Sequence, residues 1–191
     1  MNRLQTVPIV RPVVRPAQLL MAGIVVLFGL WAQVVAADVA RFVGDYTGSA
    51  EILSADGTLT PRDMSVSISE NKKGFTVKWT STSYKPDGRV KEKSYSIDFV
   101  ASDRPDVYAA AMTRNVFGHA VQLDPMKGEP FVWGRIAQDT LTVYSLFVDD
   151  IGGYELQQFD RTLAEGGLTL EFSNLRNGEK QRSVTTFLTK Q

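Results

Sequence analysis

The sequence predicts an all-β domain: an antiparallel up-and-down meander closed into a barrel of about 8–10 strands, preceded by an N-terminal signal helix. Three observations lead there. Short runs of β-favouring residues alternate apolar and polar side chains with period two. Turn chemistry separates most of these runs by one strand length, and no convincing helical periodicity lies between them.

Residues 1–37 read as a secretory signal. Arg3, Arg11 and Arg15 precede an apolar run from Leu19 to Ala32, which closes on the small residues Val35-Ala36-Ala37 before Asp38. An uncleaved membrane anchor is the alternative, since an apolar segment of about 19 residues just spans a bilayer of ~30 Å. Gln33 and the small residues at 35–37 favour cleavage. Separated arginines argue against a twin-arginine signal. The expected mature domain, residues 38–191, is one β-barrel in the periplasm or outside a bacterial cell. It has no cysteine, so it must hold together by its core rather than by disulfides.

The strands are expected at about 41–53, 62–70, 75–85, 90–101, 107–112, 131–137, 140–149, 154–163, 168–175 and 181–189. Met64, Val66 and Ile68 alternate with serines, and Phe75, Val77 and Trp79 with Thr76, Lys78 and Thr80. Tyr95, Ile97 and Phe99 repeat the pattern, as do Leu168, Leu170 and Phe172. Such strands bury one face and wet the other. Turns are marked by Ala55-Asp56-Gly57, Asn71 to Gly74, Pro86-Asp87-Gly88, Asp150 to Gly153, Glu165-Gly166-Gly167 and Asn177-Gly178. A long meander must hide two edges. Barrel closure removes both, whereas the alternative, a two-sheet sandwich, usually needs longer crossovers.

Two regions depart from simple alternation. Residues 131–148 are apolar on both faces, so the second face needs a cover. Residues 113–130 lack periodicity yet carry Val116, Phe117, Val121, Leu123 and Met126. That stretch is expected to fold back across a barrel mouth or against the outer face of 131–148.

All 21 acidic residues follow the signal, but three of the 21 basic ones lie within it, which leaves 18 − 21 = −3 on the mature domain. Nucleic acid and anionic membrane surfaces are therefore poor partners, and the membrane enters only through the N-terminal segment.

Gly44-Asp45-Tyr46, just after Phe42 at the start of the first strand, resembles the Gly-x-Trp entry of the lipocalin or calycin families. That resemblance implies an up-and-down barrel for small, mostly apolar molecules. It also implies an aromatic plug, here Tyr46 in place of Trp, crossed by a late Arg, for which Arg161 and Arg182 are candidates. No C-terminal helix is visible, unlike typical lipocalins.

No cofactor, metal site or catalytic centre is expected. His119 is the only histidine and Cys is absent, which excludes His clusters and disfavours zinc. A Ser-His-Asp arrangement would have to use His119 without a Gly-x-Ser-x-Gly elbow, so a loop role is the simpler reading. Asp149, Asp150, Glu155 and Asp160 cluster around one hairpin and could act as an acid–base pair. Asp149 and Asp150, however, precede Ile-Gly-Gly as turn residues do. The strand from Tyr154 to Leu163 carries polar groups on both faces, which fits either a cavity wall or a structural carboxylate–arginine network.

The expected function is an exported, non-catalytic barrel binding a small apolar or amphipathic ligand. Trp79, Phe117, Trp133, Tyr144, Phe147 and Phe159 are its candidate wall, with Arg161 among the candidate contacts. Arg135, sharing a face with Phe131 and Trp133, is the candidate for an acidic head group. A structural or partner-binding envelope protein with a packed barrel is the alternative, with a homodimer through strands 131–148. A hydrolase is the third.

Overall fold

The computed structural model describes residues 39–53, 59–111, 113–114 and 120–191. The expected signal at 1–37, the Ala55-Asp56-Gly57 turn, Phe117 and His119 lie outside the described residues.

The strands run β1 Gly44–Leu53, β2 Leu59–Asn71, β3 Gly74–Tyr84, β4 Val90–Ala101 and β5 Val107–Ala110. A minor pair follows, β6 Thr113–Arg114 with β7 Ala120–Val121, and then a 3-10 turn at Pro125–Lys127. β8 Phe131–Ala137, β9 Thr140–Val148, β10 Tyr154–Ala164, β11 Gly167–Arg176 and β12 Glu179–Lys190 complete the chain. Among the described residues, all but β6 and β7 close one antiparallel barrel in the order β1-β12-β11-β10-β9-β8-β5-β4-β3-β2. The meander is thus continuous except where β6, β7 and the 3-10 turn are inserted between the paired neighbours β5 and β8. Barrel closure, not a sandwich, is how the two edges are hidden.

Strand boundaries follow the turn chemistry. Asn71 and Gly74 are paired across a two-residue hairpin at Lys72-Lys73. Asn177 and Gly178 both take positive φ, 50° and 84°, as the tightest hairpins require. The first strand starts later than its sequence pattern suggests. Residues 39–42 form a helical turn in which the Phe42 N–H donates to the Val39 carbonyl at 2.9 Å. Val39 and Phe42 are both buried there.

Among the described residues, the barrel has a filled end and an open end. At the filled end, Phe75 stacks on Phe99 with ring centroids 4.9 Å apart, and meets Tyr108 edge-on at the same distance. Phe42, Val77, Ile136, Leu141, Leu168 and Leu188 pack there with almost no exposure. A barrel of about eight strands is just filled by its own side chains, so a ten-stranded one needs large aromatics to fill it. Towards the other end the inward positions turn polar or charged: Ser81 and Ser83 on β3, Lys93 on β4, Gln157 on β10 and Arg182 on β12. The filling stops because the sequence stops supplying apolar side chains.

The closing seam is short. Tyr46 pairs with Lys190 and Thr47 with Thr189. Beyond them, Thr186 Oγ1 donates to the Ser49 carbonyl at 2.7 Å, and the Gln191 N–H donates to the Asp45 carbonyl at 2.9 Å. Glycine makes this approach feasible. A Cβ at Gly48 would overlap the Phe187 carbonyl oxygen, and one at Gly167 the Leu188 carbonyl oxygen, so β12 is gripped from both sides by strands lacking a side chain there.

Candidate functional site

Above the packed floor lies a cavity of about 220 Å³. Period-two geometry assembles its wall from inward positions on seven strands. β2 contributes Arg62, Met64 and Val66, β3 contributes Trp79, and β4 contributes Lys93 and Tyr95. The facing half is Gln157, Phe159 and Arg161 on β10, Leu170 and Phe172 on β11, and Arg182 and Val184 on β12, with Ile52 from β1. Trp79 stacks on Tyr95 at 5.2 Å and lies 5.8 Å from Phe159, which in turn packs on Phe172 at 4.8 Å. These rings line one continuous aromatic surface.

Arg161 sits at the cavity floor, opposite Leu141 on β9 and Leu170 on β11. It is 1% exposed. Its guanidinium carbon lies 5.7 Å from the centroids of both Trp79 and Phe159, within cation–π range. Its Nε and Nη1 atoms find no hydrogen-bond partner among the described residues. Burial pushes its pKa down to about 10, opposed by the charge of Asp160, so it stays cationic at neutral pH. A buried cation with unmet donors is costly, since an unsatisfied charged group loses its hydration without return.

The neighbouring carboxylate acts on it through its charge but makes no hydrogen bond to it. Asp160 lies on the opposite face of β10, because successive strand residues alternate. There it accepts hydrogen bonds from Thr142 Oγ1 and Gln158 Nε2, both at 2.6 Å. The polar groups on the two faces of β10 are thus two separate systems: an outer cross-strand network, and the cavity wall.

The rim of the cavity is also cationic. Arg62 donates from Nε to Ser83 Oγ at 3.0 Å, and its pKa falls because of burial and then the charge of Arg182. With Lys93 and the deeper Arg161 they make four cations, and no carboxylate stands among the described lining residues. Glu155, just outside, accepts from Gln157 Nε2 at 2.8 Å and Asn174 Nδ2 at 2.9 Å.

The structure redistributes the expected site residues. Trp79, Phe159 and Arg161 line the cavity together. Phe147 lies beyond it, lining a smaller hollow with Asp149, Glu155 and Arg176. Trp133, Tyr144 and Arg135 are on the outer face. In β8 the inward positions are Val132, Gly134 and Ile136, all buried, whereas Arg135 is exposed. Trp133 stacks on its registered partner Tyr144 at 4.7 Å on that outer side, with Phe131 5.9 Å away. An acidic head group inside the barrel cannot meet Arg135. Of the stretch expected to fold over this face, Gln122 Nε2 donates to the Val132 carbonyl at 2.5 Å and borders a hollow with Phe131, Trp133 and Leu146.

The plug beside the first strand also differs in its cation. Tyr46 is buried and donates to the Phe42 carbonyl at 2.8 Å, and it is Lys190, not Arg161 or Arg182, whose ammonium lies 5.7 Å from its ring. The acidic hairpin behaves as turn chemistry does. Asp149 Oδ1 accepts from the N–H groups of Ile151 at 3.2 Å and Gly153 at 2.7 Å, and Oδ2 lies 3.3 Å from Arg176.

Arg62, Lys93, Tyr95 and Phe172 are cavity residues absent from the expected site, and Arg182, a candidate for the plug, lines the cavity instead. A signal was present. Arg62 shares parity with Met64, Val66 and Ile68; Lys93 with Tyr95, Ile97 and Phe99; Arg182 with Val184 and Leu188. A charge continuing an apolar stripe lies inside the same barrel.

No protein-family model matches the chain, and neither does any curated protein.

Proposed function

We propose that this chain is an exported, non-catalytic barrel that holds a small apolar or amphipathic molecule in the cavity walled by Trp79, Tyr95, Phe159 and Phe172. The observation that carries this reading is the change of filling along the barrel, from close-packed aromatics to an open, aromatic-walled space. The volume favours a compact guest, or the end of a longer one, because it falls below the about 300–1,000 Å³ of sites for drug-sized ligands. Burying about six methylenes contributes ~5 kcal/mol before the costs of ordering. An apolar body alone therefore binds no tighter than about 0.2 mM, as suits a carrier that must release its cargo. Export rests on the charged, apolar and small-residue order of residues 1–37.

Native mass spectrometry of protein recovered from the bacterial envelope is the test. An adduct of a few hundred daltons or less, lost on denaturation and weakened by Trp79→Ala, is the expected result. A clean unliganded mass across preparations would overturn it.

The outward strip of Phe131, Trp133, Tyr144 and Leu146 favours a second reading: a packed envelope protein that pairs through β8 and β9. Sedimentation across a hundredfold concentration range separates the two, because a carrier stays monomeric and the paired form changes mass.

A further inference from the structure

Resting on the carrier reading, we infer that the ligand is a carboxylic acid bound head-down, its carboxylate on the guanidinium of Arg161 and its apolar body against Trp79 and Phe159. The unmet donors carry the argument. A guanidinium offers two forks of paired N–H groups, each matched in geometry to a planar carboxylate. One fork includes Nε and the other Nη1, and both atoms are buried, unpartnered among the described residues, on a side chain lining the cavity. The nearest carboxylate in sequence, Asp160, is turned away and already bonded to Thr142 and Gln158.

The surroundings select for charge as well as shape. The rings flanking Arg161 shield it from water, which strengthens any ion pair made there. Arg62, Lys93 and Arg182 are the charged residues of the rim among the described lining residues, with Glu155 just outside bonded to Gln157 and Asn174. The three cations attract an anion towards the mouth and keep it oriented for the deeper site. A neutral guest of equal size would leave the Arg161 donors unmet, and the site thereby discriminates against it.

The test is calorimetric titration of the protein, expressed from its full-length sequence, with benzoate, 2-naphthoate and octanoate and with the three matching primary amides. At least one acid is expected to bind more than tenfold tighter than its amide. The same titration should move the Arg161 Nε–H resonance in the nuclear magnetic resonance spectrum. Arg161→Met, checked for a native melting transition, should abolish the preference while still binding the amide; Arg62→Gln and Arg182→Gln should weaken binding only a few-fold. If acids and amides bind equally to the wild type, the acid seat is wrong and the carrier reading stands. If the preference survives Arg161→Met but is lost with the rim variants, the anion sits at the rim and the inference falls. If no probe binds at millimolar concentration, both readings fall together.

Discussion

Arg161 is the residue at which stability is set against the proposed binding. Its burial removes a cation from water and leaves Nε and Nη1 without a hydrogen-bond partner among the described residues, so Arg161→Met should stabilise the unliganded fold by on the order of 1–4 kcal/mol in denaturant unfolding. The pH dependence follows from its lowered pKa of about 10. Below that value the group is protonated in both folded and unfolded chains, so the gain from Arg161→Met should be constant between about pH 5 and 9. It should shrink as pH rises past 10, where the folded wild type sheds the proton that its unfolded chain retains. Tyr46 works in the opposite direction. Burial, and then the charge of Asp45, hold its phenol above the ordinary value. Tyr46→Phe should cost about 1 kcal/mol at neutral pH through the lost bond to the Phe42 carbonyl. That cost should diminish above about pH 10, where the unfolded wild-type chain ionises first. Parallel urea titrations at neutral and alkaline pH measure both effects.

At the scale of single elements, the decisive quantity is the phase of each strand, which fixes the residues that face the cavity. In β2, β3, β4, β11 and β12 the phase was legible, because one face is polar: Ser65, Ser67 and Ser69 leave Met64, Val66 and Ile68 no choice but inward. β8 carried no such information. Phe131, Trp133 and Arg135 offer as apolar a face as Val132, Gly134 and Ile136, so register with β5 and β9 decided it. β10 was ambiguous for the converse reason, polar groups on both faces. Yet adjacent strand residues point oppositely, so Asp160 could never have neutralised Arg161 inside the barrel. Strand closeness at the seam makes a separate prediction. Gly48→Ala and Gly167→Ala each push a methyl into a backbone carbonyl of β12, with no flexible side chain to yield. Each should lower stability by more than about 2 kcal/mol in thermal unfolding, whereas Ala at the exposed Gly88, its Cβ meeting nothing within 4 Å, should cost about 1 kcal/mol through its φ of 82° alone.

For the whole molecule, closure is the weak point. β1 is paired with β2 along its full length but with β12 over two registered positions, supplemented by side-chain and terminal bonds. Removing residues 189–191 would delete the bonds from Lys190 Nζ to Val43, Gln191 N–H to Asp45, Gln191 Nε2 to Thr47 and Lys190 N–H to Gly166. At about 1 kcal/mol each, the loss should approach 4 kcal/mol. Hydrogen exchange should show β1 and β12 losing protection first, while the Phe75–Phe99 region stays protected until global unfolding. A barrel that instead unfolds in one step, with uniform protection, would place the seam among its strong contacts.

The sequence by itself determined the strands, their hairpins and the all-β class, because alternation and turn chemistry are local properties. It also carried the ingredients of the cavity: aromatics and cations in phase with apolar stripes. Only the tertiary structure decided which apolar face of β8 looks inward, that Lys190 rather than an arginine packs on Tyr46, and that Arg161 lies buried with Nε and Nη1 unpartnered among the described residues. Those outcomes depend on which strands become neighbours and in what register. That is a property of the closed sheet, and no stretch of chain contains it alone.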